Sequence, residues 1–301
     1  MGRIIKTSPR AVHHLGCGSM CPRGARLLGA DGGLLDPARF VCHCLLIEGA
    51  EGLVLIDTGF GSDDARRPRQ LGLAFNAILR PRPSVAETAL SHVRELGLDP
   101  RDVRHIITTH LDLDHAGGLP DFPDADVHLL GRELEAAMNP SWRERPRYVA
   151  AHWSHGPRWV THDGGGEQWF GFDGVRVLQG SDAEILLIPL IGHSRGHTGV
   201  AVRCGERWLL HCGDSYFHHG ELATPPRCPR AIRAFAAFDE VDASARRRNV
   251  ERLRELARRH GDQVELICSH DPLYLDAAQA RASHASRAQP APSQREPGKS
   301  R

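Results

Sequence analysis

The stretch Thr108-Thr109-His110-Leu111-Asp112-Leu113-Asp114-His115-Ala116-Gly117-Gly118 places two histidines and two carboxylates within the six positions 110–115. The apolar, β-branched residues 103–107 predict a buried strand before it, and the two glycines allow a tight turn after it. Four candidate ligands are therefore expected at the end of a rigid strand: His110, Asp112, Asp114 and His115. Imidazole nitrogen combined with carboxylate oxygen suits zinc, iron or manganese better than a soft thiolate site. A solvated polar turn explains any one of these residues, but it explains the set of four poorly.

Three more ligand-type residues follow apolar runs later in the chain. His193 follows residues 185–188, Asp214 follows residues 208–210, and His270 follows residues 264–268. A strand that ends in a ligand-type residue thus recurs four times in order, which is hard to obtain by accident and predicts a metal site. Asp57 also ends a predicted strand, where it either braces the metal loop or caps the turn.

The composition is that of an ordinary globular protein. Of the 301 residues, 41% are hydrophobic and 25% are charged, and the formal net charge is +1. This charge gives no reason to expect a nucleic-acid partner. No secretory signal and no apolar run of about 20 residues is visible, so we expect a cytoplasmic protein without membrane contact. The eight cysteines are expected to remain reduced thiols.

The chain is predicted to form a single metal-binding domain over residues 1–275, with its core at about 40–275. The first thirty or so residues are expected to be irregular, because glycines and a proline interrupt any period. An aromatic-rich insertion at about 140–172 holds four of the five tryptophans, and either anchors a long loop or lines a substrate pocket. Residues 276–301 have almost no bulky apolar side chain, which predicts a disordered tail.

The ordered signature resembles the metallo-β-lactamase superfamily of hydrolases. That family has a first loop of the form His-x-His-x-Asp-His, then a Gly-His, a Gly-Asp and a final His. The Gly-His-Ser-x-Gly-His form around His193 is similar to that of acyl-homoserine lactonases and glyoxalase II-type thioesterases. The resemblance covers about residues 40–275 and implies an α/β fold, a four-layer α/β/β/α sandwich with metals at one edge of the paired sheets.

The resemblance also implies a ligand set for two divalent metal ions. His110 and His193 would hold the first metal, and Asp214 would bridge the two. The ligands implied for the second metal are Asp114, His115 and His270. Asp112 departs from the family, because it stands where a second histidine is usual. Zinc is favoured, but the harder, shorter carboxylate leaves iron or manganese open.

The function expected from this resemblance is metal-dependent hydrolysis of a small-molecule ester. A metal-bridging hydroxide would open the ester bond, in the first place that of a lactone. Asp114 would orient the nucleophile or carry a proton, and Tyr216 is a candidate donor to the carbonyl oxygen. The alternatives are a thioester hydrolase of glyoxalase II type, a di-iron redox protein, which Asp112 allows, and a non-catalytic binder. A monomer or a homodimer is expected.

Overall fold

Two six-stranded mixed sheets make up the centre of the protein. The structure is a computed structural model that describes residues 9–163, 166–178 and 184–288. The strands of the first sheet, in spatial order, are β1 (Ala11–Met20), β2 (Phe40–Gly49), β3 (Gly52–Ile56), β4 (Val103–Ile107), β5 (Asp126–Leu130) and β6 (Arg158–His162). Those of the second sheet, in chain order, are β7 (Glu167–Trp169), β8 (Phe172–Val177), β9 (Ile185–Pro189), β10 (Thr198–Cys204), β11 (Arg207–His211) and β12 (Val264–Ile267).

Helices cover the outer faces of the two sheets. Their bounds are α1 (Ser62–Arg66), α2 (Leu73–Ile78), α3 (Ala89–Glu95), α4 (Gly131–Met138), α5 (Arg230–Asp239), α6 (Ala243–His260) and α7 (Pro272–Ala288). None of the helices within the described ranges is long and apolar enough to cross a membrane.

Three apolar cores hold these layers together. The central core joins the sheets, with Ile47 and Ile107 from the first sheet against Leu187 and Val200 from the second. An outer core packs α3 and α4 on the first sheet, and another packs α6 on the second sheet. Because a sheet with two apolar faces must be covered on both, this arrangement gives helix, sheet, sheet and helix in succession. The predicted four-layer α/β/β/α sandwich is therefore confirmed.

The strand directions bring the predicted ligands to one edge of the sandwich. β3 and β4 are parallel neighbours, as are β11 and β12, and β9 runs in the same direction as β11 because both are antiparallel to β10. The candidate ligands follow the carboxyl ends of β4, β9, β11 and β12. The loops after these strands can therefore meet at one place.

The amino-terminal region differs from the sequence-based expectation. Residues 11–20 form a ten-residue edge strand instead of an irregular segment. The glycines that suggested a break lie at an irregularity in its pairing with β2, between Gly16 and Ser19. Gly18 has φ +102°, and a Cβ there would come within 2.6 Å of the Phe60 ring. These glycines therefore shape a bulged strand instead of ending it.

The expected disordered tail is also wrong over residues 276–288, which lie in α7. Alanine, glutamine and arginine favour a helix even without bulky apolar residues. Leu275 and Ala278 are buried, and Arg281 pairs with Glu265 of β12 at 3.0 Å. The remainder of the predicted tail, residues 289–301, lies outside the described residues.

The aromatic side chains of residues 140–172 mostly anchor that segment. Tyr148, Trp153 and Trp159 pack against the core of the first sheet, whereas Trp169 and Phe172 are buried in that of the second. Anchoring of a loop is therefore confirmed for Tyr148 and Trp153. The other three lie on β6, β7 and β8, so the predicted long loop covers only the first part of the segment. Trp142 differs, since it is 80% exposed.

Three histidines on the neighbouring strands β4, β5 and β6 are hydrogen-bonded in a row. His128 lies between His105 and His162, with a 3.0 Å hydrogen bond to each. Burial and the two neighbouring imidazoles lower the pKa of His128 to about 4, although Asp126 opposes this. The unfolded chain, whose histidines keep ordinary pKa values, therefore takes up this proton at higher pH than the folded chain.

We accordingly expect the free energy of unfolding to fall as the pH is lowered from about 6.5 towards 4. His128→Gln should flatten this dependence when urea unfolding is followed across the pH range, whereas His284→Gln, at an exposed position on α7, should not. An unchanged slope in His128→Gln would contradict the assignment.

Candidate metal centre

Seven predicted ligands converge where the strand ends meet. His110, His193 and Asp214 form one group whose ligand atoms all lie within 4.8 Å of one another. His115, Asp214 and His270 form a second such group, and Asp114 joins His270 and Cys42 in a third. Asp214 belongs to the first two groups, so it lies between them.

In the second group the ligand atoms face each other directly. The Nε2 atoms of His115 and His270 are 3.3 Å apart. Asp214 places Oδ1 3.3 Å from His115 Nε2 and Oδ2 3.0 Å from His270 Nε2. Asp114 Oδ2 lies 3.6 Å from the same His270 atom.

Asp112 lies beside the first group. Its Oδ2 is 3.1 Å from His193 Nε2 and 3.5 Å from His110 Nε2, while Asp214 Oδ2 is 3.7 Å from His193 Nε2. Besides His193 Nδ1, three buried polar atoms here have no hydrogen-bond partner among the described residues: His110 Nε2, Asp112 Oδ1 and Asp214 Oδ1. Buried polar atoms are nearly always satisfied, so these three point to a bound group.

The opposite ring nitrogens show that the inward atoms are free to bind a cation. His115 Nδ1 donates to Asp57 Oδ2 at 2.9 Å, and His270 Nδ1 donates to the Val41 carbonyl at 2.8 Å. His110 Nδ1 lies 2.9 Å from Thr109 Oγ1, which itself donates to Asp57. In neutral rings these bonds leave lone pairs on the Nε2 atoms that face one another. Divalent metal ions fit this set of lone pairs and carboxylates.

Asp57 supports the loop that carries the candidate ligands His110 and His115. This decides between the two roles that the sequence left open, support of that loop and capping of the turn. The Asp57 carboxylate accepts from the Thr109 amide at 2.7 Å as well as from His115. Burial opposes ionisation of this carboxyl, but the neighbouring His115 outweighs it and lowers the pKa of Asp57. The residue also adopts a left-handed φ of +54°, a strained conformation of the kind that functional sites retain.

His197 holds the shared carboxylate residue, a role that the sequence did not reveal. Its Nδ1 donates to the Leu190 carbonyl at 3.1 Å, and its Nε2 accepts from the Asp214 amide at 2.9 Å. Both nitrogens are thus used within the protein. His197 is therefore a positioning residue and not a ligand, although it belongs to the same Gly-His-Ser-Arg-Gly-His stretch as His193.

Glu133 joins the loop that carries His110 to the loop that carries His193. Sequence reasoning missed this residue. The side chain, on α4, is fully buried. Its Oε1 accepts from the Leu111 amide at 3.0 Å, and its Oε2 accepts from Ser194 Oγ at 2.5 Å and from the Gly196 amide at 3.1 Å. A buried carboxylate with these donors fixes the spacing between His110 and His193. The sequence offered no signal for it beyond an ordinary helical glutamate.

Arg147 contacts Asp112, the residue that stands where the family usually has a histidine. It ends a short 3-10 helix, Arg145–Arg147, within the aromatic-rich segment. Its Nη1 donates to Asp112 Oδ2 at 2.6 Å and lies 3.0 Å from His193 Nε2. Burial by itself would raise the pKa of Asp112, but the guanidinium and the adjacent histidines hold that pKa well below its usual value. Asp112 is therefore a carboxylate paired with a buried cation.

Tyr216 is not brought to the ligand atoms. Its side chain is fully buried, and its hydroxyl lies 3.3 Å from that of Tyr274. The ring belongs to the core beneath the second sheet, with Cys212 and Cys268. The role predicted for it as a donor to substrate stays a prediction.

Comparisons with known proteins agree with this geometry. The family model of the metallo-beta-lactamase superfamily matches residues 37–259. A "probable metallo-hydrolase" of Mycobacterium tuberculosis is 43% identical over 268 residues, which cover 89% of this chain and 82% of that protein. The N-acyl homoserine lactonase AttM of Azorhizobium caulinodans is 30% identical over 232 residues, covering 75% of this chain and 80% of the relative.

A solved structure shares the fold at lower identity. It is a mutant of AiiA from B. thuringiensis with N-decanoyl-L-homoserine bound at the active site. It matches with a TM-score of 0.68 at 18% identity, covering 90% of this chain and 96% of that one. The matched family model, these relatives, the two-sheet sandwich and the convergent ligand set lead to one conclusion: the chain belongs to the metallo-β-lactamase superfamily of metal-dependent hydrolases.

Proposed function

We propose that this protein hydrolyses the ester bond of a lactone, with N-acyl homoserine lactones as the first class to test. The observation that carries the metal-dependent part is Asp214, which is shared by two buried ligand groups. The lactone class is supported by the 30% identity to a protein named as an N-acyl homoserine lactonase. The 43% identical relative is named only as a probable metallo-hydrolase, so the substrate is the finer part of the proposal.

We further propose how the ligands are divided. His110, Asp112 and His193 would hold a first metal ion; Asp114, His115 and His270 would hold a second; and Asp214 would contact both. Zinc is the favoured ion because four of the seven ligands are imidazoles, which zinc binds readily, and the other three are carboxylates. When bound, divalent ions at this place polarise a carbonyl oxygen and acidify water.

The surrounding side chains have defined tasks in this proposal. Asp114 lies at the edge of the second group, where a carboxylate can orient the attacking water and pass its proton to the leaving alkoxide. Phe217 stacks on His270 with ring centroids 5.9 Å apart and meets the His193 ring edge-on at the same distance. Its apolar ring therefore limits the access of bulk water to both groups.

The test is a substrate panel with protein purified without chelators and analysed for zinc, iron and manganese. We expect zinc, and kcat/KM for N-hexanoyl- or N-decanoyl-homoserine lactone at least about tenfold above that for S-lactoylglutathione. Protein stripped with a chelator is the control and should be inactive until zinc is restored. A faster thioester reaction would replace the lactone proposal by a glyoxalase II-type activity. Bound iron without any hydrolysis would favour the redox alternative.

A further inference from the structure

Arg147 closes a ring of charged side chains around the first ligand group. One guanidinium nitrogen, Nη1, donates to Asp112 as described above. The other, Nη2, donates to both the carbonyl oxygen and the carboxylate of Asp239, with Oδ1 at 3.0 Å. Asp239 Oδ2 in turn lies 3.4 Å from His193 Nδ1, which is an ion-pair distance without a hydrogen bond.

No other arginine among the described residues pairs with a candidate ligand carboxylate. The carboxylates of Asp114 and Asp214 face histidines instead. Arg147 is itself buried, at 9% exposure, so water screens its charge only weakly. Its two acidic partners come from different parts of the fold, the β4 loop and the end of α5. The guanidinium is therefore fixed at the one ligand position where this chain departs from the family pattern.

We propose that Asp112 and Arg147 act as one charge-balanced unit that replaces a neutral histidine in the first metal site. A carboxylate with a guanidinium has the same net charge as that imidazole, so the pair leaves the charge around the metal unchanged. Arg147 also uses lone pairs of Asp112 Oδ2 and lies against His193 Nε2, both of which face the first site. It therefore weakens metal binding there and keeps the first site weaker than an unpaired Asp112 would make it. The inference rests on the metal centre in the proposed function, but not on its substrate.

Zinc affinity at the first site is the quantity that tests this unit. Chelator competition is measured in a His270→Ala background, which removes a ligand of the second site. Arg147→Met should tighten zinc binding by on the order of tenfold, because it removes a buried positive charge and frees Asp112. Asp112→His should weaken binding by a similar factor, because the site then loses a negative charge while Arg147, held by Asp239, stays beside the metal. The double variant Asp112→His with Arg147→Met should return the affinity to about that of the background.

Two further variants separate charge from structure. Arg147→Lys keeps the positive charge and should change the affinity little. Arg246→Met is the matched control, since Arg246 is also buried and paired with two acidic side chains, Glu221 and Glu240, but touches no candidate ligand. It should lower the melting temperature without changing zinc affinity.

The metal-free protein supplies a second readout that needs no zinc. In metal-free protein Arg147→Met should lower the melting temperature more than the double variant does, because it leaves both Asp112 and Asp239 without their cation, whereas the double variant leaves only Asp239 without one. Weaker or unchanged zinc binding in folded Arg147→Met, or additive effects of the two substitutions on both quantities, would overturn the proposal. Neither result would bear on whether the enzyme prefers lactones.

Discussion

Asp214→Asn is expected to lower the zinc content from about two ions per chain to one or none and kcat/KM by about 10³-fold or more. The carboxylate is the one side chain shared by both ligand groups, and its two oxygens contact His115 and His270 separately. An amide keeps the shape but offers one neutral oxygen acceptor and an NH₂ group that cannot bind a cation. The backbone N–H of residue 214 would still donate to His197 Nε2, so the loop should keep its conformation.

Elemental analysis and lactone hydrolysis by the same preparation would check this expectation. Asp121→Asn is a suitable control, because the Asp121 carboxylate is only partly buried and accepts a hydrogen bond from the Ser62 amide at 2.9 Å. It should retain both metal content and activity. Full zinc content and full activity in Asp214→Asn would rule out its position between the two metals.

Glu133→Ala should destabilise the protein by about 3 kcal/mol or more, since it leaves the Leu111 and Gly196 amides and the Ser194 hydroxyl buried without an acceptor. It should also weaken zinc binding at the first site by about tenfold or more, because the loops that carry His110 and His193 lose their shared partner. Urea unfolding of metal-free protein and chelator competition measure the two effects independently.

Glu135→Ala is the matched control for Glu133, since it lies on the exposed face of the same helix. Its effect on the free energy of unfolding should stay within about 0.5 kcal/mol. Glu133→Gln should fall between the two, because the amide keeps one acceptor and places a donor against donors. If Glu133→Ala lowers stability without changing zinc affinity, Glu133 supports the fold but does not position the ligands.

The convergence of the candidate ligands could be predicted from the sequence because each of these residues follows a local pattern. Apolar runs mark the strands, and a ligand-type residue after each run lies at a carboxyl end. The parallel relation of these strands then brings the loops together. The fold class followed from the family signature that those residues form.

Chain segments without such a pattern were predicted poorly. In β1, glycines were taken as breaks, although an edge strand accommodates them as a bulge. In α7, the lack of bulky apolar residues suggested disorder, although two buried side chains and helix-forming residues are enough when β12 lies alongside.

The sequence by itself determined which residues offer ligand atoms and in what order, because strand ends and ligand types are local properties of the chain. Only the tertiary structure decided how those residues are supported. Arg147 meets Asp112 across 35 positions, and Glu133 meets Ser194 across 61. No periodic pattern in the sequence indicates such contacts, because the two partners come from separate elements. Each pair forms only when those elements pack together in the folded protein. The physical reason is that a charged side chain removed from water needs a partner of opposite charge or a hydrogen-bond partner. Which residue supplies that partner depends on the tertiary fold and not on the local sequence.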